Sequence, residues 1–170
     1  MIDGELIERI CGYAQLAKGD TVLEIGAGTG GLTHALAEKA SVVAVEKDQA
    51  LAAELKKKFA GESKKAVKVR VIGGDALRIE FPRFDKCVSN IPYLISKKIV
   101  AKLLLHDFDI AVLTLQREFA EKLVLATGVV VSPGGGFGRY GRDFVRMALV
   151  EPKDRLEEAV QRIDQWGGIG

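Results

Sequence analysis

Short apolar runs alternate along this chain with stretches in which apolar residues recur every three or four positions. Thr21-Val22-Leu23-Glu24-Ile25, Ser41 to Glu46, Val67 to Ile72, Phe84 to Ser89 and Asp109 to Leu115 are short and rich in apolar residues, so they predict strands. Gly30 to Lys39, Gln49 to Phe59, Ile95 to Leu105 and Glu118 to Leu125 predict helices. Ahead of them, Leu6, Ile7, Ile10, Tyr13 and Ala14 give Glu5 to Leu16 a helical apolar face. Strands alternating with helices imply βαβ units, and right-handed crossovers put the helices on both faces of a mostly parallel sheet. The expected fold is therefore α/β and Rossmann-like. After residue 128 the rhythm changes. Val129-Val130-Val131 and Phe144 to Val150 read as strands flanking a glycine-rich turn, Ser132 to Gly138. Pro152 then opens a helix with Leu156, Ala159, Val160 and Ile163 on one face. This predicts a C-terminal antiparallel hairpin that closes the sheet.

At 170 residues the chain is read as one domain, with a core over 1–128 and a divergent strand–loop–strand–helix piece over 129–170. No apolar run approaches the ~20 residues of a membrane span. The acidic start, Met1-Ile2-Asp3-Gly4-Glu5, has no signal-peptide pattern, so a cytoplasmic protein without membrane association is expected. A net charge of +2 decides nothing about nucleic acid. Lys56, Lys57, Lys58, Lys64, Lys65, Lys68 and Arg70 cluster, as do Arg139, Arg142 and Arg146. Such groups meet phosphates or form solvated surface. Cys11, Cys87, His34 and His106 are isolated, so no metal site is expected, and Cys87 reads as a buried, inert thiol.

Ligands of open α/β sheets bind beyond the carboxyl ends of the strands. That rule brings Gly26–Gly30, Glu46, Asp75 and Asn90–Tyr93 to one rim. The loop Gly26-Ala27-Gly28-Thr29-Gly30-Gly31 fits the dinucleotide pattern G-x-G-x-x-G. Through Glu24, Gly26, Gly28 and Gly30 it equally fits the loop of S-adenosylmethionine binders. Glu46 lies 20 residues beyond Gly26, where a carboxylate can accept from both ribose hydroxyls of either cofactor. Asp75, followed by Ala76, can accept a hydrogen bond from an adenine amino group or simply cap a turn. Gln116-Arg117-Glu118-Phe119 follows the fifth strand and can reach the same rim.

Asn90-Ile91-Pro92-Tyr93 separates the two cofactor readings, because a dehydrogenase has no evident use for it. An exocyclic amine on a base is a poor nucleophile, its lone pair being delocalised into the ring. The Asn90 side-chain carbonyl and a backbone carbonyl near Ile91–Pro92 can accept both N–H groups and aim the lone pair at an electrophilic methyl. Pro92 fixes the backbone and brings no competing N–H. Tyr93 offers a stacking face worth ~1–3 kcal/mol. The catalysis expected is positioning and electrostatic stabilisation.

From Ile2 to about Gly128 the chain resembles the rRNA adenine N6-dimethyltransferase family. The resemblance is carried by Ile2-Asp3, Val22 to Gly30, Val45-Glu46-Lys47-Asp48, Gly74-Asp75-Ala76-Leu77, Asn90-Ile91-Pro92-Tyr93 and Gln116-Arg117-Glu118-Phe119-Ala120. It implies S-adenosyl-L-methionine as cofactor, with small-subunit rRNA or a pre-ribosomal particle as partner. The Gly26–Gly30 loop would contact the methionine portion, Glu46 the ribose and Asp75 the adenine, with Glu24, Ala27, Lys47 and Ala76 also among the cofactor-binding residues. Asn90, Pro92 and Tyr93 would be the catalytic set, Asn90 also bordering the cofactor. Two family segments have no counterpart: a Gly-Gln-x-Phe-like stretch before Ile2 and a small helical RNA-binding domain at the end. Residues 128–163 resemble instead the C-terminal piece of a class I/II aminotransferase, in which the arginine matching Arg146 holds a substrate carboxylate. The expectation is a truncated methyltransferase of reduced activity. Its alternative is a chimeric scaffold without turnover, self-associating through an uncovered face.

Overall fold

The computed structural model describes residues 4–61, 68–116, 132–133 and 144–149, with Glu158 and Gln161 helical beyond them. The elements run α1 (Gly4–Tyr13), β1 (Thr21–Ile25), α2 (Gly31–Ala37), β2 (Ser41–Glu46), α3 (Gln49–Phe59) and β3 (Val69–Gly73). They continue with β4 (Lys86–Asn90), a 3₁₀ turn (Tyr93–Ile95), α4 (Ser96–Leu103), β5 (Ile110–Gln116), β6 (Ser132–Pro133) and β7 (Phe144–Leu149). The strands form one seven-stranded sheet in the order β3-β2-β1-β4-β5-β7-β6. β3, β2, β1, β4 and β5 pair parallel. β7 pairs antiparallel with both β5 and β6. The strand order reverses between β1 and β4, which is where such sheets open a crevice.

Alternation along the strands sends side chains to opposite faces. Val22, Val42, Ala44, Val88 and Val112 pack with Ile10 of α1, Ala14 just after it, and Leu32, Leu36, Leu55 and Phe59 from α2 and α3. Leu23, Ile25, Val43, Val45, Leu113 and Leu115 pack on the other face with Ile99, Val100 and Leu103 from α4 and with Phe81 and Phe84. Burial on both faces explains why these strands read as nearly unbroken apolar runs.

The β1–β4 ladder contains only Val22↔Lys86 and Leu23↔Cys87. At the next turn of the pleat the Ile25 N–H donates instead to the Ser89 hydroxyl at 2.8 Å. A side chain here stands in for a strand, and the two strands part toward the rim. At their other end Lys86, only 7% exposed, is neutralised by Asp20 (Nζ–Oδ2 2.7 Å) and donates to the Gln15 carbonyl at 2.5 Å. A buried ammonium is tolerable only when paired in this way. Cys87 is fully buried, and burial pushes its thiol up to about 12, in line with an inert thiol.

Several element boundaries move. α2 starts at Gly31 because Gly30 has φ 80°, outside the helical region. The fourth strand begins at Lys86 because Asp85 is spent tying strand ends: its N–H donates to the Thr21 carbonyl and its Oδ2 accepts from the Thr21 N–H. Ser132 and Pro133, expected in a turn, form β6 opposite Val145 and Arg146. Pairing with β7, not propensity, makes them a strand. The expected strand at 129–131 and helix at 118–125 lie outside the described residues, as do all but two residues of the expected last helix.

Candidate functional site

The carboxyl ends of four parallel strands meet around the glycine loop, and every joint there is a specific bond. The Gly26 and Ala27 N–H groups both donate to the Val45 carbonyl, at 2.8 and 3.2 Å. The Gly28 N–H donates to Glu46 Oε2 (2.8 Å), and Glu46 Oε1 accepts from the Asp48 N–H (2.9 Å). Asp48 in turn caps α3, accepting from the Ala50 and Leu51 N–H groups. The Gly74 N–H donates to the Glu46 carbonyl at 2.8 Å, which fixes the β3 end beside the β2 end.

Positive φ is what lets the loop turn: 77° at Gly26, 56° at Gly28 and 80° at Gly30. The surroundings of these glycines differ. A Cβ on Gly30 would lie 2.6 Å from Leu55 Cδ2, so this glycine faces the core. A Cβ on Gly28 would meet nothing within 4 Å, so the crevice side of the loop is open. A Cβ on Gly26 would sit 3.6 Å from both the Asn90 carbonyl oxygen and Pro92 Cδ. The glycine loop and the Asn-Ile-Pro-Tyr segment are thus direct neighbours, as the topology rule predicted.

Asp75 is held ionised from two sides. The Leu77 N–H donates to its Oδ1 (3.0 Å) and Lys47 Nζ lies 3.2 Å from Oδ2; together they keep the carboxyl below the ordinary aspartate range. Lys47 therefore serves the rim by bridging the β2 and β3 ends. Ala27 and Ala76 are buried, and Ala76 packs in the core below the rim, so only their backbones can face a ligand.

Glu24 is 1% exposed, behind the loop. Burial pushes its carboxyl up to about 8, helped by repulsion from Glu46, so it is uncharged near neutral pH. Buried there beside Thr33 of α2, its side chain is shielded from the open crevice.

The tetrapeptide is fixed by its neighbours. Asn90 ends β4 opposite Thr114, and the Ile91 N–H donates to the Thr114 carbonyl at 3.1 Å. Ile91 is buried in the core and Pro92 is exposed. The Pro92 carbonyl already accepts from the Ile95 N–H (3.1 Å) and the Ser96 hydroxyl (3.2 Å). Of the two backbone acceptors considered from sequence, that leaves the Ile91 carbonyl. Among the described residues the Asn90 amide group has no hydrogen-bond partner. The backbone of Tyr93 opens the 3₁₀ turn, while its side chain and residues 117–119 lie outside the described residues.

Sequence reading missed three supports. Ser89 was detectable as a hydroxyl inside an apolar strand. Lys58, which donates to the Thr29 carbonyl at 3.0 Å, was hidden in a charge run. Lys102 looked like any basic residue near a helix end. Among the described residues no group of three His, Cys, Asp or Glu side chains can hold a metal, and no helix is long and apolar enough to cross a membrane.

A mostly parallel α/β sheet with an open glycine loop, two rim carboxylates and an Asn-Ile-Pro-Tyr segment at the strand switch defines the Rossmann-like methyltransferase class. Within it, the chain belongs to the ribosomal RNA adenine dimethylase family, whose model matches residues 1–129. It is 48% identical over 129 residues to a probable ribosomal RNA small subunit methyltransferase A of Methanosarcina mazei, covering 75% of this chain and 46% of that one. A protein of the same description from Methanothermobacter thermautotrophicus is 47% identical over an alignment covering 98% of this chain and 62% of the relative. The chain spans about half the length of the curated relatives it matches. Among solved structures, a dimethyladenosine transferase from Plasmodium falciparum superposes with TM-score 0.74 at 29% identity, covering 96% of this chain and 66% of that one. The 23S rRNA methyltransferase ErmE gives 0.69 at 26%, covering 99% and 80%. Because a methyltransferase aligns across 98% of the chain, the expected aminotransferase origin of 128–163 is without support.

The family implies S-adenosyl-L-methionine as cofactor. The residues fit it. The open side of Gly28 leaves room for a ligand against the backbone, and Glu46 and Asp75 present carboxylates for hydroxyl and amino groups.

Proposed function

We propose that this chain transfers a methyl group from S-adenosyl-L-methionine to N6 of adenosine in small-subunit rRNA, working in the cytoplasm on the RNA or on a pre-ribosomal particle. The observation that carries this reading is the abutment of the glycine loop on Asn90–Pro92. A cofactor bound along the loop would lie beside the acceptors that would receive the target amine.

The cofactor supplies an electrophilic methyl group. Gly26 and Gly28 give the backbone room for its methionine portion while Gly30 lets the loop turn against the core, Glu46 receives the ribose hydroxyls, and Asp75 accepts from the adenine amine. Glu24 stays buried and uncharged one layer below the loop, beside Thr33 of α2. Two acceptors then orient the target: the Asn90 side-chain oxygen and the Ile91 carbonyl each take one N6–H. Holding both N–H groups turns the nitrogen lone pair out of conjugation and toward the methyl carbon. As the N–C bond forms, the bond from that methyl to the sulfonium sulfur would break with its electron pair kept by sulfur, S-adenosyl-L-homocysteine would be the leaving group, and the proton would leave N6 for solvent. The Pro92 carbonyl is occupied by the Ile95 N–H and the Ser96 hydroxyl, which leaves the Ile91 carbonyl as the backbone acceptor, and Pro92 brings no N–H to compete. Tyr93 provides the stacking face for the base.

We infer in addition that β6 and β7 form a single hairpin closing the sheet, supported by their antiparallel register. Self-association through a face left uncovered is tested by sedimentation of the purified chain.

The experiment is incorporation of labelled methyl into small-subunit RNA or 30S particles, with Asn90→Ala as comparison. Incorporation that is lost in Asn90→Ala at unchanged Tm supports the reading. Cofactor binding without incorporation into any such RNA rejects it in favour of a catalytically silent scaffold.

A further inference from the structure

Lys102 stands in the last turn of α4, yet its ammonium group is not spent on that helix. Nζ donates to the carbonyl oxygen of Ala76 at 2.8 Å and to that of Ile79, and lies 4.2 Å from the centroid of the Phe81 ring. Both carbonyls belong to the turn that begins at Asp75. The Asp75 carbonyl accepts from the Arg78 and Ile79 N–H groups at 2.8 and 3.0 Å, and its side chain accepts from the Leu77 N–H. The turn is thus closed by Asp75 at one end and gathered from beneath by a single lysine. A basic residue near a helix C-terminus ordinarily serves that helix's own carbonyls. Here the donors cross to a segment 23 and 26 positions away in sequence.

The other end of the same helix holds the tetrapeptide, since Ser96 donates to the Pro92 carbonyl. α4 has eight residues, about 12 Å of rise at 1.5 Å each. It therefore works as a short strut between the Asp75 turn and Asn90–Tyr93. We propose that Lys102 is a positioning residue: it sets the height and angle of Asp75 for recognition of the cofactor's adenine amine and ties that setting to the target-base segment. The proposal rests on the cofactor reading above. Lysine suits the place because a compact ammonium carries three donors, enough for two carbonyls from different directions.

Two measurements on the full chain test it, with Asp20→Asn as a destabilised control far from the rim. The first needs no ligand. In Lys102→Met, hydrogen exchange of the Leu77, Arg78 and Ile79 amides is expected to rise by about tenfold or more, with no such local change in Asp20→Asn. The second is calorimetric affinity for S-adenosyl-L-homocysteine against S-inosyl-L-homocysteine, which lacks the amine that Asp75 would receive. The wild type is expected to prefer the adenosyl ligand by about tenfold. Lys102→Met should bring that ratio to within about twofold, and Asp20→Asn should keep it. Should the methionine variant not fold, Lys102→Gln, which retains one donor group, is expected to give intermediate exchange and an intermediate ratio.

Unchanged exchange at Leu77–Ile79, or an unchanged ratio in Lys102→Met or Lys102→Gln, overturns the proposal alone. A wild type that binds neither ligand overturns the cofactor reading and the proposal with it, and one that binds both equally overturns the Asp75 recognition and the proposal while cofactor binding stands.

Discussion

Replacing Gly28 and Gly30 one at a time by alanine separates what the loop does for the fold from what it does for a ligand. Both sit at positive φ, 56° and 80°, so each alanine carries ~1–2 kcal/mol of backbone strain. At Gly28 that strain is the whole cost, because a Cβ meets nothing within 4 Å. For a domain of this size ~2–4 °C of Tm accompany each kcal/mol, so Gly28→Ala should lower Tm by ~2–8 °C. At Gly30 the new methyl would lie 2.6 Å from Leu55 Cδ2 and 3.1 Å from Phe59 Cε2, and both side chains are buried. Overpacking adds ~1–3 kcal/mol, for a total of ~2–5 kcal/mol and a Tm loss of ~4–20 °C. Ligand affinity should follow the opposite order. The Gly28 methyl would project into the open crevice, so affinity for S-adenosyl-L-homocysteine should fall at least ~tenfold, the loss expected of overfilling a fitted contact. Gly30→Ala, assayed well below its own Tm, should bind within ~threefold of wild type. Scanning calorimetry without ligand gives the stabilities and titration calorimetry the affinities. Wild-type affinity in Gly28→Ala would refute the placement of the ligand against this loop.

Glu24 predicts a pH effect. Its carboxyl titrates near 8 in the fold against an ordinary 4.5, so the folded state holds a proton that the unfolded chain releases. Stability therefore falls as pH rises from about 4.5 to about 8 and then levels. Glu24→Gln should be increasingly more stable than wild type across that window, and urea midpoints at pH 5, 6.5 and 8 check it; a constant difference would show that Glu24 does not titrate with folding, which refutes the raised value. Ser89→Ala strands the buried Ile25 N–H and should cost ~1–3 kcal/mol in urea unfolding. Asp20→Asn weakens the pairing of Lys86 and should cost ~1–3 kcal/mol at pH 7. Burial opposes ionisation of Asp20, but Lys86 and the Ala17 N–H more than offset it and hold its carboxyl below the ordinary range. The cost should therefore vanish only as pH falls through that lowered value.

Much of the fold is legible because β1, β2, β4 and β5 are buried on both faces, leaving unbroken apolar runs in the sequence. The rim was legible for a topological reason: parallel strands point their carboxyl ends one way, so Gly26, Glu46, Asp75 and Asn90 had to converge. Other features are not local. Glu24 looks like a ligand residue in a motif, and only its burial behind the loop shows that its side chain is shielded from the crevice. Pro92 and Ile91 offer equivalent carbonyls on paper, until Ile95 and Ser96 claim one of them. β6 exists as two residues because β7 pairs with them, which no propensity scale registers. Lys102 reads as a helix-end charge, and its partners 23 and 26 residues earlier come within reach only after α4 docks.

Ile25 and Ser89 lie 64 positions apart, and the hydroxyl that joins them also marks where the strands part. A ribosome making this protein would finish the glycine loop and Glu46 well before β4 exists. Ile91 then waits for the Thr114 carbonyl on β5. Contacts of such long sequence separation close late and slowly in folding. At ~5–20 residues per second, seconds of synthesis separate the two halves of the crevice. A nascent chain therefore has half a pocket for that interval, and binding competence marks completion of the central crossover.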